Sequence, residues 1–305
     1  MNGKCINYTG LMDSVRKSIF HKALFIRAFE QHILKGFDLG LLRGTTHTCI
    51  GQEVLPAAVG LMAPKNSFVI SNHRNHGHYL SINDSALELL HEIMGIPNGI
   101  SKGRGGSQHI HSLNFISHGI LGGLSPYAVG RGAARRLLDT TTGPVILYLG
   151  DGTFGEGVLY EALNLSVVFN SKILILVENN GVSQSTLTNE MLSSDLFDLC
   201  KIFIPNSMRS SDKNLNQLLK SVKYSLDYVI EKNKPTVLFV DTERLGPHSK
   251  GPVKLDPWYG NQDPLFMMSE SKSRELFHEL SLNVYESVRN IFNTEFESDL
   301  FLKEF

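Results

Sequence analysis

The residues best suited to do chemistry form one glycine turn, Gly150-Asp151-Gly152-Thr153-Phe154-Gly155, which carries a single carboxylate. A continuous apolar run from Pro144 to Leu149 precedes it, and a segment of helical period from Glu156 to Phe169 follows. Asn179-Asn180 stands just beyond the next apolar run, Ser171 to Val177. Taken literally, the turn matches G-x-G-x-x-G in a strand–turn–helix setting, and Glu178 stands where a ribose-binding acid is expected. A dinucleotide reading therefore competes. Two facts weigh against it. Asp151 would set a carboxylate beside a pyrophosphate with no cation between them, and a dinucleotide gives Asn179-Asn180 no task. A divalent cation removes both difficulties. Asp151 and the Asn180 amide are hard oxygen donors and the Val182 carbonyl is a third. Mg2+ takes such ligands and completes its shell from substrate phosphates. Backbone N–H groups of Gly152 and Thr153, at a helix N-terminus, meet the same phosphate.

The elements that position this turn follow from pattern. Three runs apolar on both faces, Pro144 to Leu149, Ser171 to Val177 and Pro235 to Val240, predict parallel strands covered on both sides. A shorter apolar run, Ser67 to Ser71, stands within polar, glycine-containing sequence. Helical spacing covers Leu11 to Leu41, Asp84 to Met94, Glu156 to Phe169, Asn214 to Glu231 and Ser271 to Phe292. From Gly95 to Gly132 the chain holds 10 glycines and has weak periodicity, which predicts a long functional loop. The expectation is one α/β domain over residues 1–305, with a doubly wound parallel sheet flanked by helices.

Composition narrows the class. The chain has 305 residues, 42% hydrophobic, with 29 basic and 30 acidic side chains and a net charge of −1. That excludes disorder as the dominant state and disfavours nucleic acid or a membrane surface as partner. Cys5, Cys49 and Cys200 are too scattered for a disulfide framework or a metal site, and suit a reducing cytoplasm. Cys49, close to His47, reads as a buried small hydrophobe. No signal peptide is visible, and no run approaches the ~18 apolar residues of a membrane span. Of 12 histidines, seven lie between His73 and His118. His21, His32 and His278 sit on helical patterns and read as structural. His76, His78, His109, His111 and His118 stay open between structural and functional roles.

A glycine-aspartate-glycine turn, a helix and a strand ending in two asparagines together resemble the thiamine diphosphate-binding motif. Further motifs, in order, resemble the alpha subunit of the decarboxylating component of 2-oxo acid dehydrogenase complexes, of pyruvate, branched-chain or acetoin type. They are Arg43-Gly44-Thr45-Thr46-His47, Gly51-Gln52-Glu53, Arg74-Asn75-His76-Gly77, Gly103 to His109, Asn114-Phe115, Gly119 to Gly122, Pro126 and Arg244 to Ser249. The resemblance covers roughly residues 15–250 and implies a thiamine diphosphate-binding fold with thiamine diphosphate and Mg2+ as cofactors. It implies Asp151, Asn180 and Val182 as metal ligands. His47, His73, Arg74, Ser112, Gly119, Leu121, Gly152, Thr153 and His248 join them around the cofactor, with His47 and His248 as the catalytic pair. The implied reaction is oxidative decarboxylation of a small 2-oxo acid, with the acyl group passed to a lipoyl acceptor.

In this family the alpha chain holds the diphosphate half, and a beta chain supplies the carboxylate that activates the aminopyrimidine. The resemblance therefore implies an alpha2beta2 heterotetramer, with a lipoyl acyltransferase as a further partner. Some positions depart from the pattern. His73 stands where the family has Tyr, Leu124 stands near a usual Gln, and the stretch after Gly260 is short. These departures touch the substrate and the acceptor, and leave a second reading open: a two-chain synthase or transketolase-like enzyme that delivers to an aldehyde or sugar.

Overall fold

The computed structural model describes residues 8–138, 143–252, 254–269 and 273–296, with side chains from Ser14 onward. Cys5 and the predicted helix start at Ser271 lie outside the described residues. In chain order the elements begin with α1 (Tyr8–Asp38), α2 (Val54–Met62), β1 (Phe68–Ser71), α3 (His76–Ile82), α4 (Ala86–Met94), β2 (Phe115–Ser117) and α5 (Leu124–Leu138). Next come β3 (Val145–Gly150), a 3-10 turn (Asp151–Gly155), α6 (Gly157–Val168), β4 (Ile173–Asn179), β5 (Val182–Ser183), β6 (Thr186–Leu187) and α7 (Thr188–Met191). The remainder are α8 (Leu196–Phe203), β7 (Ser207–Ser211), α9 (Leu215–Lys232), β8 (Thr236–Asp241), α10 (Pro264–Met268) and α11 (Arg274–Phe296).

Six strands form one sheet in the order β2-β1-β3-β4-β8-β7, with every neighbouring pair parallel. The apolar runs are continuous because each face has its own core. Ile146, Tyr148, Leu174, Leu176, Leu238 and Val240 point to the layer built with α1, α2, α4, α9 and α11. Their neighbours Val145, Leu147, Leu149, Ile173, Ile175, Val177, Val237 and Phe239 point to the other layer, with α5, α6 and α8. Period-two alternation between two buried faces leaves no polar position in the strand. The doubly wound sheet expected from the sequence is present.

One expectation needs correction. The stretch from Gly95 to Gly132 is not one loop, since it contains β2 and the first half of α5. Gly132 lets α5 lie on the sheet: a Cβ there would stand 3.3 Å from the Lys172 backbone nitrogen. Lys172 N–H donates to the Gly132 carbonyl at 3.0 Å and Ser171 Oγ donates to the Val129 carbonyl at 3.0 Å. Edge strand β7 carries the polar sequence SMRSS and has no apolar signature to read.

From β1 the chain moves outward to β2, then returns to β3 and continues the opposite way. The carboxyl ends of β1 and β3 therefore flank a topological switch point, where open α/β sheets take ligands. No helix among the described residues is long and apolar enough to cross a membrane.

Candidate active site

A cavity of about 260 Å³ opens at this point. The loop after β1 contributes Asn72, His73 and Arg74, and the segment after β2 contributes Gly119 and Leu121. The end of β3 and the turn after it give Gly150, Asp151 and Gly152. Around the end of β4 lie Glu178, Asn180, Val182, Ser183 and Gln184, and after β8 come Arg244 and His248. His47 and Gln52, between α1 and α2, and Gln108, ahead of β2, close the wall. Residues far apart in sequence meet because a parallel sheet brings all its carboxyl ends to one side.

Asp151 is almost fully buried, and its Oδ2 accepts from Thr188 Oγ1 at 2.8 Å. Burial pushes the carboxyl above its ordinary range, while Thr188 and backbone N–H groups of Gly152 and Gly181 pull it back down. The Asn180 amide oxygen accepts from Val182 N–H at 3.2 Å, an Asx turn that fixes the Asn180 side chain at the start of β5. Gly152 packs tightly on β5: a Cβ there would lie 2.4 Å from Ser183 Oγ, so that hydroxyl would have to move. The neighbouring Thr153 is fully buried behind the lining, and its Oγ1 has no hydrogen-bond partner among the described residues. A carboxylate, an amide oxygen and a carbonyl on one wall are the donor chemistry of a hard divalent cation. The described residues hold no cluster of three or more His, Cys, Asp or Glu side chains that would suit a softer metal.

Two arginines line the same cavity, and one of them, Arg244, donates through Nη1 to the Val182 carbonyl at 3.5 Å. Arg74 Nη1 donates to the Thr48 carbonyl at 2.6 Å, and Nη2 donates to the His248 carbonyl at 2.9 Å and to His248 Nδ1 at 3.1 Å. Burial and then Arg244 lower Arg74 to about 10, so it stays charged at neutral pH. Because Arg74 has only protons to give, His248 Nδ1 must be the bare nitrogen, with the ring proton on Nε2.

Three imidazoles meet here: His47 lies 4.6 Å from His73 and 5.0 Å from His248, centroid to centroid, both edge-on. Burial, then Arg74, lowers His47 to about 4, and the same causes take His73 to about 2. His248 is lowered as well, by burial and then by Arg74. All three are neutral at pH 7. His32, in the core beside Phe292 and bonded through Nδ1 to the Ala28 carbonyl, is lowered by burial to about 4. The consequence for stability has a definite sign. Between about 6.5, the unfolded value, and 4, the unfolded chain binds protons that the folded chain refuses. Stability should therefore fall as pH drops through that window, with His32 alone contributing about 3 kcal/mol by pH 4. Urea unfolding at pH 7, 6, 5 and 4 checks this, and His32→Phe should flatten part of the slope.

Of the residues singled out from sequence, His47, His73, Arg74, Gly119, Leu121, Asp151, Gly152, Asn180, Val182 and His248 share this cavity. Ser112 does not. It precedes β2, at the amino end of the sheet, and lines a different cavity with Asn83 and Arg135. Its N–H donates to the Phe115 carbonyl at 2.8 Å and its hydroxyl to Asn114 Oδ1 at 3.3 Å, which closes a local turn. Glu178 is committed to His78 Nε2 at 3.2 Å rather than free for a ribose. His76 is buried between Glu30 and Ser107, 2.8 Å from each, and is structural. His32 belongs to the core itself. Cys49 is buried, and burial, Glu30 and Glu53 push its thiol upward, so it is no nucleophile. Sequence reasoning assigned no role to Gln52, Asn72, Gln108, Ser183, Gln184 or Arg244. Gln52, Gln108 and Arg244 stood inside recognised motifs, the one signal that could have found them.

The strand order and the cavity at the switch point define an α/β protein with a thiamine diphosphate-binding fold. Residues 21–254 match the model of the dehydrogenase E1 component, and the chain belongs to that family. It is similar to the pyruvate dehydrogenase E1 component subunit alpha of Rickettsia bellii, 28% identical over 253 residues, spanning 82% of this chain and 77% of the relative. The subunit of the same name from Zymomonas mobilis is 35% identical over 173 residues, 55% of this chain and 48% of that one. The mitochondrial subunit of Schizosaccharomyces pombe is 28% identical over 232 residues, 76% of this chain and 56% of that one. This is an alpha-type chain of a thiamine diphosphate-dependent 2-oxo acid dehydrogenase, an oxidoreductase.

Proposed function

We propose that this chain is the diphosphate-holding half of a Mg2+-dependent enzyme that oxidatively decarboxylates a small, pyruvate-like 2-oxo acid and passes the acyl group to a lipoyl acceptor. The observation that carries the reading is that Asp151, Asn180 and Val182 line one cavity together with Arg74. These groups fit a metal-bound diphosphate: the three oxygens for the cation, and Arg74 for the phosphate oxygens. Thiamine diphosphate, when bound, supplies the carbon nucleophile and stores the electron pair that decarboxylation releases. Gly119 and Leu121 offer backbone to its aminopyrimidine. His47 and His248 are neutral imidazoles that offer N–H hydrogen bonds to oxygen atoms of substrate and diphosphate. His73 fills the remaining wall.

The chain is read as a single cytoplasmic domain over residues 1–305. An alpha subunit implies a beta subunit. Of the two carboxylates on the cavity wall, Asp151 belongs to the metal set and Glu178 is bonded to His78. The acid that activates the aminopyrimidine therefore comes from the beta chain, within an alpha2beta2 assembly. Amide side chains at Gln52, Asn72 and Gln108 also favour a second reading, delivery to a hydroxylated aldehyde or sugar.

Co-expression with the beta chain, then a 2-oxo acid screen following CO2 release and lipoamide reduction, tests both readings. The pair should turn over and the purified single chain should not, with a difference of at least ~1,000-fold, as expected when a catalytic group is missing. A single chain as active as the pair would overturn the two-chain reading. CO2 release that requires an added aldehyde, without lipoamide reduction, would favour the second acceptor.

A further inference from the structure

Gln108 is carried by a stretch of chain clasped to β2. Its carbonyl accepts from Ser117 Oγ at 2.9 Å, and the same hydroxyl accepts from Ile110 N–H at 2.9 Å. One residue earlier, the Ser107 carbonyl accepts from Asn75 Nδ2 at 2.9 Å and the Ser107 hydroxyl bonds His76 Nε2 at 2.8 Å. The backbone that bears the Gln108 side chain is thus pinned from both sides. The side chain crosses Gly119, where a Cβ would stand 2.7 Å from Gln108 Oε1. Only a glycine at 119 leaves room for that path. At its end, Gln108 Nε2 donates to His47 Nδ1 at 3.2 Å.

We propose that Gln108 is a positioning residue: its amide occupies His47 Nδ1, holds that imidazole as the Nε2–H tautomer and presents the proton to the carbonyl oxygen of the bound 2-oxo acid. The proposal rests on the reading of His47 as a group that faces substrate. Among the described residues nothing bonds His47 Nε2, and the ring lines the cavity. An amide N–H2 is a donor only, so the nitrogen that receives it carries a lone pair and the ring proton goes to the other. The groups that face His47 are Arg74 and His73 after β1, His76 at the start of α3 and His248 after β8. None of them is a carboxylate that could draw the proton back to Nδ1. Gln108 therefore does for His47 what Arg74 does for His248, and both rings offer Nε2–H to one cavity.

The test separates positioning from mere packing. The full-length chain is labelled with 15N-histidine and the His47 signals are assigned by their loss in His47→Asn. In the native chain Nε2 should be protonated and Nδ1 bare. Gln108→Met keeps the length but has no donor, so the Nδ1 signal should move. Gln108→Glu offers an acceptor instead, which should draw a proton to Nδ1 and raise the pH at which His47 titrates. In the complex with the beta chain, kcat should fall about tenfold in either variant, the worth of one misdirected hydrogen bond. KM should change little, and the acidic limb of the kcat profile should move to higher pH in Gln108→Glu. A protonated Nδ1 in the native chain, or His47 signals unmoved in both variants, would overturn the proposal. Signals that move while kcat stays constant would instead overturn the reading of His47 as substrate-facing.

Discussion

Asp151→Asn should abolish Mg2+-dependent binding of thiamine diphosphate while leaving the fold intact. Asparagine keeps the volume and can still accept from Thr188, whose hydroxyl lies 2.8 Å from Asp151 Oδ2. What it removes is the negative charge. Asn180 and the Val182 carbonyl are neutral, so Asp151 is the anionic member of the oxygen set. A hard dication held by neutral oxygens alone loses its strongest attraction, and the diphosphate then loses the cation that joins it to the wall. Losing an outer partner of a metal ligand already costs about 10–100-fold in affinity, so loss of the charged ligand should exceed ~100-fold. Calorimetry with and without Mg2+ reads this directly. Stability should move the other way: burial works against the Asp151 carboxylate, so the ligand-free variant should be as stable as the native chain or slightly more so. A variant that lost binding because it unfolded would contradict the assignment. Dinucleotide binding by the native chain without magnesium would contradict it more deeply.

The contrast between Asp151 and Ser112 shows what a sequence can convey about a site. Asp151, Gly152 and Asn180 could be read because strand, turn and helix follow one another locally, and that order alone delivers them to the carboxyl ends of β3 and β4. Ser112 lies close in sequence to Gly119, yet β2 stands between them and carries the two to opposite ends of the sheet. Sequence distance says nothing about that reversal. Gln108 and Gln52 reach the cavity through long connections whose paths depend on tertiary packing, so their motifs marked them without giving them a task. For the fold the rule is similar. β3, β4 and β8 announce themselves because both faces are buried. Strand β7 is polar, and α5 carries glycines that only its packing on the sheet explains. The placement of these residues was legible where local order sufficed, and the packing that supports them was not.

The largest piece of that hidden support is Arg27. It lies midway along α1 and is fully buried, though nothing in the helical pattern distinguishes it from a solvated residue. Its guanidinium pairs with Glu53 through Nε, and through Nη2 at 3.0 Å. It also pairs with Asp263 at 2.8 and 3.0 Å, donates to the Pro257 carbonyl at 3.1 Å, and lies under the Tyr259 ring, 4.9 Å from its centroid. Glu53 also accepts from Gly51 N–H at 3.0 Å, so it braces the turn between His47 and α2. Asp263 caps α10 through Leu265 N–H at 3.0 Å, ahead of α11, which packs back on α1. One cation thus ties three separate stretches of chain together beneath the site. Arg27→Met should cost about 3–5 kcal/mol, because it strands two buried carboxylates without a counter-charge. The sign with pH is diagnostic. Burial already raises Glu53 even with Arg27 beside it, and removing the arginine raises it further. A carboxyl whose folded pKa lies above its unfolded value weakens the fold as pH rises between the two. The deficit of Arg27→Met should therefore be greatest at neutral pH and shrink toward the unfolded carboxyl range near ~4.3. Combining it with Glu53→Gln and Asp263→Asn should recover part of the loss at pH 7, which urea midpoints of the native chain, the single variant and the triple variant would show. A deficit that stayed constant with pH would mean that lost packing, rather than stranded charge, is what Arg27 prevents.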